Sequence, residues 1–348
     1  MLRPNKVFSP LGFGSEFKPP SIIEPLFGLH SNWNHVKSIL SNGSQWPLEP
    51  ISKEVRRRDL EEALAFGNHK GATDKPELLK ELCNNDVVHR YALVLPLDKV
   101  RLVQGLTINP MNIANQHTID EHGRIIEKDR LTNNHQSFRF QSGKSVNDRA
   151  DKERLSSCLF AAVNRPLLIW TCAARHRYPN IKIKSGKTDF KSAYRREHLA
   201  ATEALSSGAR IPKENLLLIP LRLTFGGTAC PSEWCSISEM VTDLANAILH
   251  EPDWDPHELF APESLSIPTR PELSDDIPFG QAEELIVDVP INEKGQNEMF
   301  IDDNCALTLD LPGSDNVVMM ERAFLLAVQV IARGSTQMNQ FPERPSSI

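Results

Sequence analysis

The chain has 348 residues, 40% of them apolar, and its 39 basic and 45 acidic side chains leave a net charge of −6. That is enough apolar sequence for one large or two ordinary cores, and too much for a disordered protein. The acidic balance excludes a uniformly basic nucleic-acid binder, and the longest apolar run, Pro166–Ala174, is far shorter than the roughly 20 residues that span a bilayer.

No charged, apolar and small-residue sequence of a signal peptide opens the chain. The cysteines, Cys83, Cys158, Cys172, Cys230, Cys235 and Cys305, form no CxxC pair and have no histidine at a zinc-finger spacing. A reduced intracellular protein of the cytoplasm or nucleus, neither secreted nor membrane-bound, is the plain expectation. Prolines concentrate before Pro50, in Trp254–Pro290 and in the tail, so those parts read as loops or extended wrapping.

In chain order, SKEVRRRDLEEALAFG (52–67) sets Val55, Leu60, Ala63 and Leu64 near one face of a helix that Gly67 stops. KPELLKELC (75–83) predicts a second short helix. HRYALVLPL (89–97) and VRLVQGLTI (100–108) have strand-like composition around a turn, and QHTIDEHGRIIEKDRL (116–131) predicts a hairpin with Lys128 and Arg130 on its return strand. A helical stretch is expected from Ser145 through ADKERLSSCLFAAV (150–163), interrupted by Pro166 and resuming to about Ala174.

NIKIKSGKTDF (180–190) alternates like a half-buried strand and ends on Asp189, whereas NLLLIPLRLTF (215–225) is apolar enough for a sheet centre. After Pro231, the set Ile237, Met240, Val241, Leu244, Ala247 and Ile248 predicts an amphipathic helix with Ser232 as its N-cap. A strand pair around MFIDDN (299–304) and a helix in VVMMERAFLLAVQVIA (317–332) complete the series.

Charge is uneven. From Arg175 to Arg196 eight Lys or Arg surround a single acid, Asp189. A solvated basic face and a phosphate-binding surface both account for this. The adjacent Asp302 and Asp303 repel each other unless water, lysines or a divalent cation neutralises them. If the strands bearing Asp189 and the Asp302–Asp303 pair are antiparallel neighbours, three carboxylates converge at one sheet edge. Such hard oxygen ligands suit Mg²⁺, and two ions about 3.5–4 Å apart can drive an in-line phosphoryl displacement. The other pair, Asp275–Asp276 in LSDDIPFG, has loop signals on both sides and reads as a cap.

GFGSEF (12–17) lacks the GK[ST] of a phosphate loop, no HExxH is present, Cys230 and Cys235 are too far apart for a convincing metal clip, and no G-x-S-x-G elbow occurs.

TDFKSAYRR (188–196) resembles the first palm motif of reverse transcriptases, D-x-x-x-A-[YF], with Ala193–Tyr194 in register. LTFGGTACPSEW (223–234) is similar to their glycine-containing second motif, and FIDD (300–303) matches the third, aromatic-x-Asp-Asp. INPMNIANQHTIDEHGRIIEKDR (108–130) resembles the fingers hairpin, so the resemblance covers roughly residues 85–335. With GNHKGA (67–72) and SGKSVN (142–147), it is most similar to retrotransposon enzymes of microbial eukaryotes such as diatoms.

The resemblance implies an α+β right-hand polymerase. Its regions would be a flexible N-terminus (1–30), a helical segment (31–84), a fingers-like region with a β-hairpin (85–180), a palm-like region of antiparallel sheet on helices (181–335) with a Pro- and acid-rich insertion (251–290), and a flexible tail (336–348). It implies RNA-directed DNA synthesis by two-metal transfer of deoxynucleotides to a primer 3′-hydroxyl. Two Mg²⁺ or Mn²⁺ ions would be the cofactors, and a primed RNA or DNA template and dNTP the partners. Asp189 and Asp302 would be the principal ligands, Asp303 an ancillary one, and the Phe190 carbonyl a further oxygen. Tyr194 would reject a ribose 2′-hydroxyl, Lys128 and Arg130 would reach the triphosphate, and Phe225, Gly226 and Gly227 would let backbone approach nucleotide and template. Lys187, Lys191, Arg195 and Arg196 would meet the nucleic-acid backbone.

Phe225 stands where many retroviral-type enzymes carry Gln, and only 45 residues follow Asp303. Fingers and palm without a thumb, primer-grip hairpin or ribonuclease H domain are therefore expected, a C-terminally truncated enzyme with feeble extension. The alternatives are an inactive remnant that binds nucleic acid through 175–196, an RNA-templated RNA polymerase palm, which Tyr194 disfavours, and, more remotely, a metal hydrolase on an unrelated α/β fold.

Overall fold

The computed structural model describes residues 16–119, 122–136, 143–155, 164–190, 192–257 and 293–332. The N-terminal elements are α1 (Pro20–Phe27), α2 (Trp33–Asn42), α3 (Lys53–Phe66), α4 (Lys70–Thr73), α5 (Pro76–Val88), β1 (Ala92–Pro96), β2 (Met111–Ile119) and β3 (Ile125–Asn133). There follow α6 (Asn164–Arg177), β4 (Ile183–Asp189), α7 (Ala201–Ser206), β5 (Ala209–Ile211), β6 (Leu216–Pro220), α8 (Cys230–His250), β7 (Gln296–Phe300), β8 (Asp303–Leu309) and α9 (Asn316–Ile331). Helices and wholly antiparallel sheets make this an α+β fold, as expected.

The chain divides into two compact units, each discontinuous in sequence. Unit 1 gathers Ser38–Ser156 and Tyr194–Glu233; unit 2 gathers Glu16–Lys37, Ser157–Ala193 and Trp234–Ile348.

In unit 1, α3 starts where Ser52 Oγ accepts the Val55 N–H at 3.2 Å and stops at Gly67, as its periodicity predicts. β6 is the centre of the sheet β1-β6-β5, and β2 pairs with β3 as a hairpin. Residues 97–102 wind as a 3₁₀ turn instead of joining a strand over 100–108. In a strand Val100 and Leu102 would share a face, yet Val100 is buried and Leu102 is 75% exposed. Over its described part, residues 145–155, the helix expected from Ser145 is likewise replaced by short 3₁₀ turns at Asn147–Arg149 and Lys152–Arg154; residues 156–163 lie outside the described residues. Asp148 accepts from both the N–H and the Oγ of Ser145, a local closure that competes with helix.

In unit 2, α6 carries Pro166 near the start of its described span, and residues 156–163, where the interrupted helix is expected, lie outside the described residues. α8 begins before Pro231; Ser232 lies inside it, donating to the Ala229 carbonyl at 3.0 Å, and is not an N-cap. In the described part of residues 1–30, α1 buries Ile23 and Phe27, and the Lys18 N–H donates to the Ile331 carbonyl at 2.8 Å. Residues 1–15, most of the 251–290 insertion with Asp275–Asp276, and the 336–348 tail lie outside the described residues. Among the described residues no helix is long and apolar enough to cross a membrane.

The unit 2 sheet has the order β4-β8-β7. Its register sets Ile183 opposite Leu309, Ser185 opposite Leu307, Lys187 opposite Cys305 and Asp189 opposite Asp303. These alternate residues share one face, which therefore runs from apolar to ionic. Trp170 and Ala174 of α6 cover the apolar end with Ile183, Leu307 and Leu309. Gly186 lies on the other face, where an added Cβ would stand 3.1 Å from Met320 Cε of α9. Asn246 of α8 pairs both ways with Asn297 on the outer strand β7, its Nδ2 donating to the carbonyl at 2.9 Å and its Oδ1 accepting the N–H at 2.8 Å. That closes part of the edge.

Candidate metal centre

Asp189 ends β4, Asp303 begins β8 opposite it, and Asp302 occupies the two-residue loop that joins β7 to β8. One carboxylate oxygen from each of the three lies within 4.8 Å of the others. The expected convergence of these motifs is thus a consequence of strand register.

Aromatic packing holds the arrangement. The Phe190 N–H donates to the Asp302 carbonyl at 2.9 Å, tying the end of β4 to the loop. The buried Phe190 ring meets Trp234 edge-on at 5.3 Å and Phe324 at 5.6 Å. The Trp234 indole N–H donates to the Ile301 carbonyl at 2.8 Å. Ile301 stands at φ +59°, a left-handed conformation that costs a branched residue about 1–2 kcal/mol. The indole bond fixes that strained residue beside Asp302. The Phe190 carbonyl accepts the Ala193 N–H at 3.2 Å, which turns the chain after β4.

Asp189 keeps solvent access while Asp302 and Asp303 are half-buried. Partial burial, then the charges of Asp302 and Asp303, push the Asp189 carboxyl up to about 6; Lys187 opposes the rise. Lys187 Nζ lies 2.8 Å from Asp303 Oδ2. Its ammonium is held above the ordinary lysine range, chiefly by that bond. The three carboxylates gather hard oxygen donors at a solvent-accessible edge, a set that fits Mg²⁺ or Mn²⁺.

The other expected site residues lie in unit 1, apart from Lys191, which is outside the described residues. Lys128 is exposed on β3, and Arg130, two residues on, is half-buried with its guanidinium 5.6 Å from the Phe225 ring centroid. The Tyr194 ring meets Phe225 at 5.1 Å, so Phe225 contacts both. Gly226 has φ +119°, and a Cβ there would collide with the Asn133 carbonyl oxygen; at Gly227 it would stand 2.7 Å from Cys230 Sγ.

Arg195 is committed internally. It pairs with Asp86 at 2.9 Å and donates to the Leu223 carbonyl at 2.8 Å. Arg196 is buried at 8% exposure.

Sequence reasoning missed Trp234, Asn133, Asn147 and the pairing of Lys187. Asn133 donates its N–H to the Phe225 carbonyl at 2.9 Å. Asn147 donates to the Gly226 carbonyl at 2.8 Å and accepts the Thr228 N–H at 2.9 Å. Trp234 closes the second motif and Asn147 ends SGKSVN, so both stood inside quoted segments without a role.

No protein-family model matches the chain, and no curated protein matches it. Among solved structures it is similar to native prototype foamy virus protease-reverse transcriptase, with 12% identity over 84% of this chain and 25% of that one, at TM-score 0.39. It is also similar to foamy viral protease-reverse transcriptase complexes with double-stranded DNA. The dRH form gives 8% identity, TM-score 0.39, 97% of this chain and 45% of that one. The other gives 7% identity, TM-score 0.33, 91% of this chain and 50% of that one. The chain spans a quarter to half of these proteins, and likeness at this level assigns it neither a fold family nor an activity.

Proposed function

We propose that this chain is the fingers-and-palm core of a retroelement RNA-directed DNA polymerase, which transfers deoxynucleotides to a primer 3′-hydroxyl. The observation that carries the reading is the carboxylate cluster. Asp189 and Asp302–Asp303, far apart in sequence and each within a palm-like motif, come together through the β4–β8 register. Bound there, two Mg²⁺ or Mn²⁺ ions would activate the attacking hydroxyl and stabilise the leaving oxygen.

Asp189 and Asp302 hold the cations, Asp303 adds an ancillary oxygen, and the Phe190 carbonyl is a further ligand. Tyr194, braced by Phe225, stands against the sugar and excludes a 2′-hydroxyl by bulk. Lys128 and Arg130 donate charge-assisted hydrogen bonds to the triphosphate. Gly226 and Gly227 keep the loop free of side chains. Lys187 and Lys191 serve the nucleic-acid backbone, and the partners are dNTP and a primed template.

The test is Mn²⁺- or Mg²⁺-dependent extension of a DNA primer on an RNA template once a thumb is supplied. Asp189→Asn and Asp302→Asn each should reduce extension by at least about a hundredfold. Extension that survives either change refutes the assignment. Deoxynucleotides should outcompete ribonucleotides, and Tyr194→Ala should narrow that preference.

A further inference from the structure

Lys187 shares the sheet face of Asp189 and stands two residues before it, opposite neutral Cys305. Its ammonium is 2.8 Å from Asp303 Oδ2, an oxygen-bearing group within the cluster of three carboxylates. The positive charge that such a cluster requires is thus supplied by the chain itself. Lys187 is 55% exposed and Asp303 28%, on a flexible four-carbon stem, so the pair is weakly held and the ammonium can leave for solvent.

A divalent cation bound to Asp303 would sit about 2.1 Å from its oxygen. An ammonium bonded to the same carboxylate would then face a double charge only a few ångströms away. The two cations compete for one carboxylate.

We propose that Lys187 is a resident counter-ion that a divalent cation displaces from Asp303, so that cation entry and release of the lysine are a single exchange. The inference rests on the metal reading of the cluster and goes beyond it. Lys187 holds the carboxylates together in the cation-free protein and weakens the first encounter with the cation. Once displaced, its ammonium is free to meet a phosphate. Cation and phosphate binding are then coupled, each raising affinity for the other.

The experiment is calorimetric titration of the full chain with Mn²⁺, for the wild type, Lys187→Met, Lys187→Gln and Asp302→Asn. Removing the competitor should tighten Mn²⁺ binding about two- to fivefold in both lysine variants, the range expected from an exposed ion pair. The same variants should unfold at lower temperature without cation and gain more from Mn²⁺ than the wild type does. Unchanged or weaker Mn²⁺ binding in both variants, while Asp302→Asn abolishes binding, overturns the exchange and leaves the metal centre standing. Full Mn²⁺ affinity in Asp302→Asn removes the metal centre itself and the exchange with it.

Discussion

Partial burial first, and then the charges of Asp302 and Asp303, push the Asp189 carboxyl from the ordinary 3.8 up to about 6. The folded chain binds this proton more tightly than the unfolded chain does. Stability therefore falls as pH rises from 3.8 to about 6, and the loss persists above that value. Asp189→Asn should accordingly raise the cation-free melting temperature at pH 8 by roughly 1–4 °C, an effect kept small by solvent access, with no gain near pH 4. Thermal unfolding at the two pH values checks this. Protons and cations compete for the same oxygen, so the stabilisation conferred by Mg²⁺ or Mn²⁺ should be constant above about pH 7 and decline below about pH 6. The three aspartates were legible because motif spacing marks them. The pairing of Lys187 was not, since it depends on which residue of β8 faces it. Asn133 and Asn147 were illegible for another reason: a backbone bond from Asn133 and side-chain bonds from Asn147 to a distant loop leave no periodic trace.

At the level of elements, the β7–β8 hairpin is shaped by a residue outside it. Trp234→Phe keeps the ring that packs on Phe190 and removes only the bond to the Ile301 carbonyl. It should cost about 1 kcal/mol in denaturant unfolding and weaken Mn²⁺ binding through a looser Asp302. Gly226→Ala should be more severe, at least about 2 kcal/mol, because φ +119° and the Asn133 carbonyl both exclude a side chain. Elements with sustained alternation or helical period, such as α3, β4, β6 and α9, could be read from the chain. Residues 97–102 could not, because strand-like composition says nothing about whether Val100 and Leu102 face the same way. Ser232 was misplaced by a few positions, where a helix start depends on which backbone groups find partners.

Across the whole molecule, local pattern suggests consecutive regions, whereas compactness gathers each unit from separated stretches. The cause is pairing between remote strands: β1 joins β6, with Leu93 opposite Ile219, and β4 joins β8, with Ile183 opposite Leu309. Such contacts must be closed before they stabilise anything, so refolding should proceed over milliseconds to seconds or longer, measurable by tryptophan fluorescence after dilution from denaturant. Remote pairing also subjects the chemistry to a rule of counting. Inserting or deleting one residue between Ile183 and Asp189 would exchange odd for even, turning the carboxylate towards the α9 side while sparing the pattern of strand pairing. A change of two would restore the face but slide the charge by about 6.6 Å, beyond the reach of a shared ion. Length in this short strand thus matters as strictly to the proposed metal centre as the identity of the aspartate at its end.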